Sequence, residues 1–183
     1  SMYYRLEVTL ETASILGLPV KSIIDVNEAG VAPEDRVRQF CDSDIILLCQ
    51  PVGEQPLVNI RGVQSFMPMR RDGAWKWPPS IVVETDDNLF NVSPLNQAFK
   101  SLGVKDMNGN LIPLGHQVGV VQDGDRKVLW EDGQKGFSLS KNRQVLASYR
   151  KILEMADQVQ CSTPNVEAAV LREVTPKRTR VFP

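Results

Sequence analysis

The sequence predicts an α/β domain, a parallel sheet with helices on both faces and a β-hairpin inserted late in the chain. Three observations carry that prediction. Ile45 to Cys49 and Ile81 to Val83 are short apolar runs without polar alternation, which suits strands covered on both faces. Stretches with apolar residues at helical spacing separate most of the strand candidates, as parallel crossovers require. Asn108-Gly109, Asp123-Gly124 and Asp132-Gly133 then mark a region of tight turns between strand-like segments.

Tyr3 to Leu16 reads as a helix through Leu6, Leu10 and Ala13, stopped by Gly17 and Pro19. Val20 to Val26 is a strand candidate. Gly30 to Pro33 is a break, and Pro33 opens a short helix with Val37, Phe40 and Cys41 on one side. Asp44 introduces the Ile45–Cys49 strand, and Gln50-Pro51 ends it. Residues 52–64 read as a short helix with Val58, Ile60 and Val63 as apolar positions, although Pro56 and Gly62 interrupt the pattern. Phe66 to Pro79 reads as irregular; Trp75 and Trp77 within it suit either the cover of a sheet edge or the wall of a ligand groove.

Leu95 to Leu102 reads as a helix, followed by the Asn-Gly turn. Val118 to Gln122 and Arg126 to Glu131 form the predicted hairpin, within an insertion spanning about 111–139, its tip standing off the domain. Lys141 to Asp157 is a helix whose stripe runs through Val145, Ser148/Tyr149, Ile152 and Met155/Ala156. Gln158 to Ser162 is a strand. Ser162 or Thr163 caps the helix that Pro164 opens, with Val166, Ala169 and Val170 buried. Arg178 to Phe182 is the last strand.

Composition bounds the function. At 183 residues the chain fits one domain with a substantial core. Lys plus Arg number 21 against 22 Asp plus Glu, so no broad basic field is available for nucleic acid. No apolar run approaches the roughly 18–20 residues of a membrane span. Ser1-Met2 reads as a cleavage scar before a Met, with no signal peptide after it. Cys41, Cys49 and Cys161 are odd in number and widely spaced, which predicts free thiols, no zinc site and a reducing, cytoplasmic compartment.

The chemistry concentrates between Pro79 and Pro94. Glu84, Asp86 and Asp87 follow the Ile81–Val83 run directly, with Asn88, Phe90 and a Ser93-Pro94 turn behind them. Ligands of open α/β sheets gather at the carboxyl ends of strands, so these acids stand where chemistry is expected. Asp86, Asp87 and Asn88 equally suit the capping of a following turn. His116, the one histidine, lacks a nearby partner for base catalysis and reads as structural or solvent-facing. Adjacent carboxylates on a strand point in opposite directions, so Asp86 and Asp87 are not predicted to share a metal. No phosphate-cradling glycine loop occurs, and neither cofactor nor metal is predicted.

Several pieces together resemble the N-terminal, Rossmann-like half of GT-B glycosyltransferases, particularly the phage and bacterial glycosyltransferase-like group. They are Tyr3-Tyr4-Arg5-Leu6-Glu7, Asp44 to Pro51, Val82 to Phe90 with Val92-Ser93-Pro94, Ala156 to Pro164, and Arg178 to Pro183. The resemblance implies a single domain over 1–183 that is a fragment of a two-domain protein. It implies an acceptor-binding half, with the nucleotide-sugar donor held by a C-terminal domain beyond Pro183. In that picture Asp86 and Asp87 orient or deprotonate the acceptor hydroxyl, while Arg5, Glu84 and Asn88 contact substrate. The family's first strand and glycine turn are missing ahead of Tyr3, and the end just after a strand reads as an interruption. A sheet lacking its first strand would favour self-association as a homo-oligomer. The rival expectation is a non-catalytic binding or assembly module derived from the same half-fold.

Overall fold

Four parallel strands form the centre of the molecule: β1 (Ile45–Cys49), β4 (Ser80–Thr85), β7 (Gln158–Cys161) and β8 (Thr179–Val181), side by side in that order. The structure, a computed structural model, describes residues 12, 14–17, 40–65, 69–71, 74–116, 118–122, 125–129 and 137–181. The helix, strand and short helix expected before Phe40 therefore lie almost wholly outside the described residues, as does Arg5. The fold class is α/β, with a Rossmann-like parallel sheet and helices between its strands.

Register explains the core. Ile46 pairs with Ile81, Leu48 with Val83, Val83 with Val159, and Thr85 with Cys161, so these side chains share one face. Helices α1 (Glu54–Ser65), α3 (Leu139–Met155) and α4 (Pro164–Glu173) cover that face. They bring Ile60 and Val63, then Leu146, Tyr149, Ile152 and Leu153, then Val166 and Val170 into one apolar cluster. Each such side chain fully withdrawn from water contributes roughly 1.5–3 kcal/mol. The opposite face is far less covered than the apolar runs suggested. Ile45 is 64% and Leu47 38% exposed, while Val82, Glu84, Gln158 and Gln160 are half-buried. Burial along β4 alternates instead of running continuously, because among the described residues the three long helices all feed the first cluster.

Helix ends follow the sequence chemistry. The Ser138 side chain accepts from the Lys141 N–H, which starts α3 two residues before the predicted point. Thr163, not Ser162, caps α4 by accepting from the Val166 N–H, with Pro164 in the first turn. In α1, Pro56 falls in the first turn, where its missing N–H costs nothing, so the helix forms despite the expected interruption. Its buried stripe is Leu57, Ile60 and Val63; Val58 is largely exposed, contrary to the sequence reading.

Two connections differ from expectation. Within the stretch read as irregular, β2 (Met69–Arg71) and β3 (Ala74–Lys76) pair antiparallel, with Met69 opposite Lys76 and Arg71 opposite Ala74. The helix expected over 95–102 shortens to α2 (Phe99–Leu102), because residues 94–98 are spent on turns. β5 (Val118–Gln122) and β6 (Asp125–Leu129) pair antiparallel as a ribbon separate from the four-stranded sheet; the tip predicted between them lies outside the described residues. A small second core of Phe99, Ile112, Phe137 and Leu139 sits beside α2. There the buried Asn142 amide donates to the Phe99 and Gly103 carbonyls, satisfying the end of α2. Among the described residues, no helix is long and apolar enough to cross a membrane.

Candidate functional site

Glu84, Asp86 and Asp87 stand at the carboxyl end of β4, an interior strand between β1 and β7. The parallel ladder continues past the strand ends on both sides. The Gln50 N–H donates to the Glu84 carbonyl at 2.9 Å, and the Ser162 N–H to the Thr85 carbonyl at 3.1 Å.

Three hydroxyls then hold the acidic turn. Ser162 Oγ donates to the Asp86 carbonyl at 2.8 Å, and Thr85 Oγ1 to the Asp87 carbonyl at 3.2 Å. Beneath them Tyr149 OH donates to Thr85 Oγ1 at 2.9 Å, both groups fully buried. With the backbone carbonyls occupied, the Glu84, Asp86 and Asp87 side chains are carried on a braced support. Burial pushes the Tyr149 phenol up to about 12, the Thr85 contact offsetting part of the rise. Tyr149 therefore stays a protonated donor at neutral pH.

Toward β1 the acids meet Cys49 and Gln50. Cys49 Sγ donates to Glu84 Oε2 at 3.4 Å, and Gln50 Nε2 lies 3.5 Å from Asp87 Oδ2. Burial first, then the Glu84 hydrogen bond and the charges of Glu84 and Asp86, push the Cys49 thiol up to about 12. The thiol therefore stays protonated at neutral pH and donates to Glu84. Gln50 adopts a left-handed backbone with φ of +43°, a conformation that costs a non-glycine residue roughly 1–3 kcal/mol when held in place.

Of the residues singled out from sequence, the structure brings Glu84, Asp86 and Asp87 together around Cys49 and Gln50. Asn88 precedes a single 3-10 turn, Leu89–Asn91, and makes no capping bond to it. Its Oδ1 is instead a buried acceptor with no donor. The capping alternative thus fails for Asn88, and the Asp87 carboxylate faces Gln50. His116 is exposed, its N–H donating to the Pro113 carbonyl. Trp77 is 70% exposed. Among the described residues, no group of three or more His, Cys, Asp or Glu is placed to hold a metal ion. Cys41, Cys49 and Cys161 form no disulfide.

Sequence reading missed Gln50, which it took only as a strand end, and the bracing roles of Thr85, Tyr149 and Ser162. Thr85, a small hydroxyl residue placed between acids, was the one local signal. Comparison of the chain with protein-family models, curated proteins and solved structures yields no match.

Proposed function

We propose that this chain is the acceptor-side half of a GT-B glycosyltransferase-like protein, binding an acceptor hydroxyl at the Glu84–Asp87 turn. One observation supports the reading best: three neighbouring carboxylates at the carboxyl end of an interior parallel strand, on a turn whose carbonyls are tied to Ser162 and Thr85. A carboxylate so held can accept a hydroxyl proton or a hydrogen bond without reorganising, the requirement for orienting or activating a nucleophilic alcohol. The donor nucleotide-sugar belongs to a second domain in this reading.

Saturation-transfer NMR of the chain against neutral sugars and nucleotide-sugars tests it. Neutral sugars should bind, and the Asp86→Asn/Asp87→Asn double variant should weaken them about ten- to hundredfold, the loss of one charge-assisted hydrogen bond. Nucleotide-sugars binding as tightly as neutral sugars, or a double variant with undiminished affinity, would refute it.

A further inference from the structure

Beside the acidic turn, between α1 and the side of β1 away from β4, the fold holds an open pocket of about 430 Å³. Its floor is core: Ile46, Ile60, Val63 and Ile81, each under a tenth exposed. Gln50, Gln55 and Asn59 bring amide groups to it. It falls within the usual range of small-molecule sites, apolar with a few converging polar groups.

The lining selects the occupant's chemistry. None of the described residues that line the cavity is charged, and an ion there would lose its hydration without a partner. Asp87 stands next door, joined to the lining through Gln50, and disfavours anions further. Gln55 Nε2 already donates to Asn59 Oδ1 at 3.0 Å. We infer that the cavity binds an uncharged, mostly apolar small molecule through the floor of Ile46, Ile60, Val63 and Ile81. The strained Gln50, bordering the cavity and contacting Asp87, ties the two places together. On the acceptor reading above, on which this last assignment rests, the occupant is the apolar part of an acceptor whose hydroxyl reaches the carboxylates.

The test is methyl-labelled NMR of the full chain titrated with 2-naphthol, its β-glucoside, methyl β-glucoside and 2-naphthyl phosphate. Naphthol should shift the methyl signals of Ile46, Ile60, Val63 and Ile81, and the phosphate should bind at least about tenfold more weakly. Asn59→Trp, which fills the hollow, should abolish the shifts; if it does not fold, Gln55→Trp at the exposed rim serves instead. Absence of naphthol binding, shifts confined to other methyls, or shifts that persist in the filled variant would overturn the cavity site. The glucoside separates the two ideas. Binding tighter than naphthol, lost in Asp87→Asn while naphthol binding is unchanged, supports the acceptor assignment. Equal binding of glucoside and naphthol removes that assignment and leaves the cavity site standing.

Discussion

Replacing Tyr149 by Phe should separate the brace beneath the acidic turn from the packing around it. The ring stays: it is fully buried and sits 5.3 Å from the Phe90 ring, a contact that Phe preserves. What goes is the 2.9 Å bond to Thr85 Oγ1, leaving a buried hydroxyl without its donor. Such a loss costs about 1–2 kcal/mol. For a chain of 183 residues each kcal/mol moves the melting temperature by about 2–4 °C, so the variant should melt about 2–8 °C lower at pH 7.

The pH dependence adds a second readout. The folded phenol is pushed up to about 12 from an ordinary 10.0. A raised folded value means that its stabilisation is whole below pH 10 and is lost as pH climbs through about 12. The advantage of the native chain over Tyr149→Phe should therefore shrink across that window in urea titrations at stepped pH. Thr85→Val should cost a similar amount alone, and the double variant less than the sum, since both ends of the bond are then apolar. A melting point within 1 °C of native, or strictly additive single changes, would refute the brace.

Other expectations concern single sites. Gly103→Ala should destabilise by about 2 kcal/mol or more, because a Cβ there overlaps the buried Phe99 ring; calorimetry showing a native-like melt would contradict that packing. Cys49 should react with iodoacetamide at pH 8 far more slowly than free cysteine, and Glu84→Gln should quicken it only in part, since burial is the larger cause; mass-spectrometric rates decide. Asp157 carries opposing influences: burial raises its carboxyl, but the Lys177 ion pair at 2.8 Å and the Ile81 N–H outweigh it and hold it below 3.8. Its contribution is present above that pH and lost as pH falls through the lowered folded value, so Asp157→Asn should flatten the acid limb of the stability curve in the range below about pH 4.

Much of the fold was legible because local chemistry dictated it. Ile45–Cys49 and the run after Pro79 announce strands by unbroken apolar, largely β-branched residues, and Thr163-Pro164 announces a helix by cap and first turn. Asn108-Gly109 announces its turn through Gly109, whose φ of +83° favours a residue without a Cβ. Two of the misreadings share one cause. Val58 on α1 and Leu47 on β1 are apolar yet exposed, since composition says that a residue prefers burial without saying which face receives a covering layer. The Met69–Lys76 ribbon escaped notice because its two strands, three residues each, carry no periodicity long enough to register.

The sequence by itself determined the class of fold, the order of its central strands and helices along the chain, and the presence of three acids beyond the second long apolar run. Only the tertiary structure decided that these acids meet Cys49 and Gln50, 35 and 37 positions away, and rest on a hydroxyl brace from Tyr149, 64 positions from Thr85. The reason is physical. Periodicity and capping act within a few residues, whereas neighbours across a parallel sheet are chosen by strand order and register, which burial of the shared core face fixes only when the whole chain has folded.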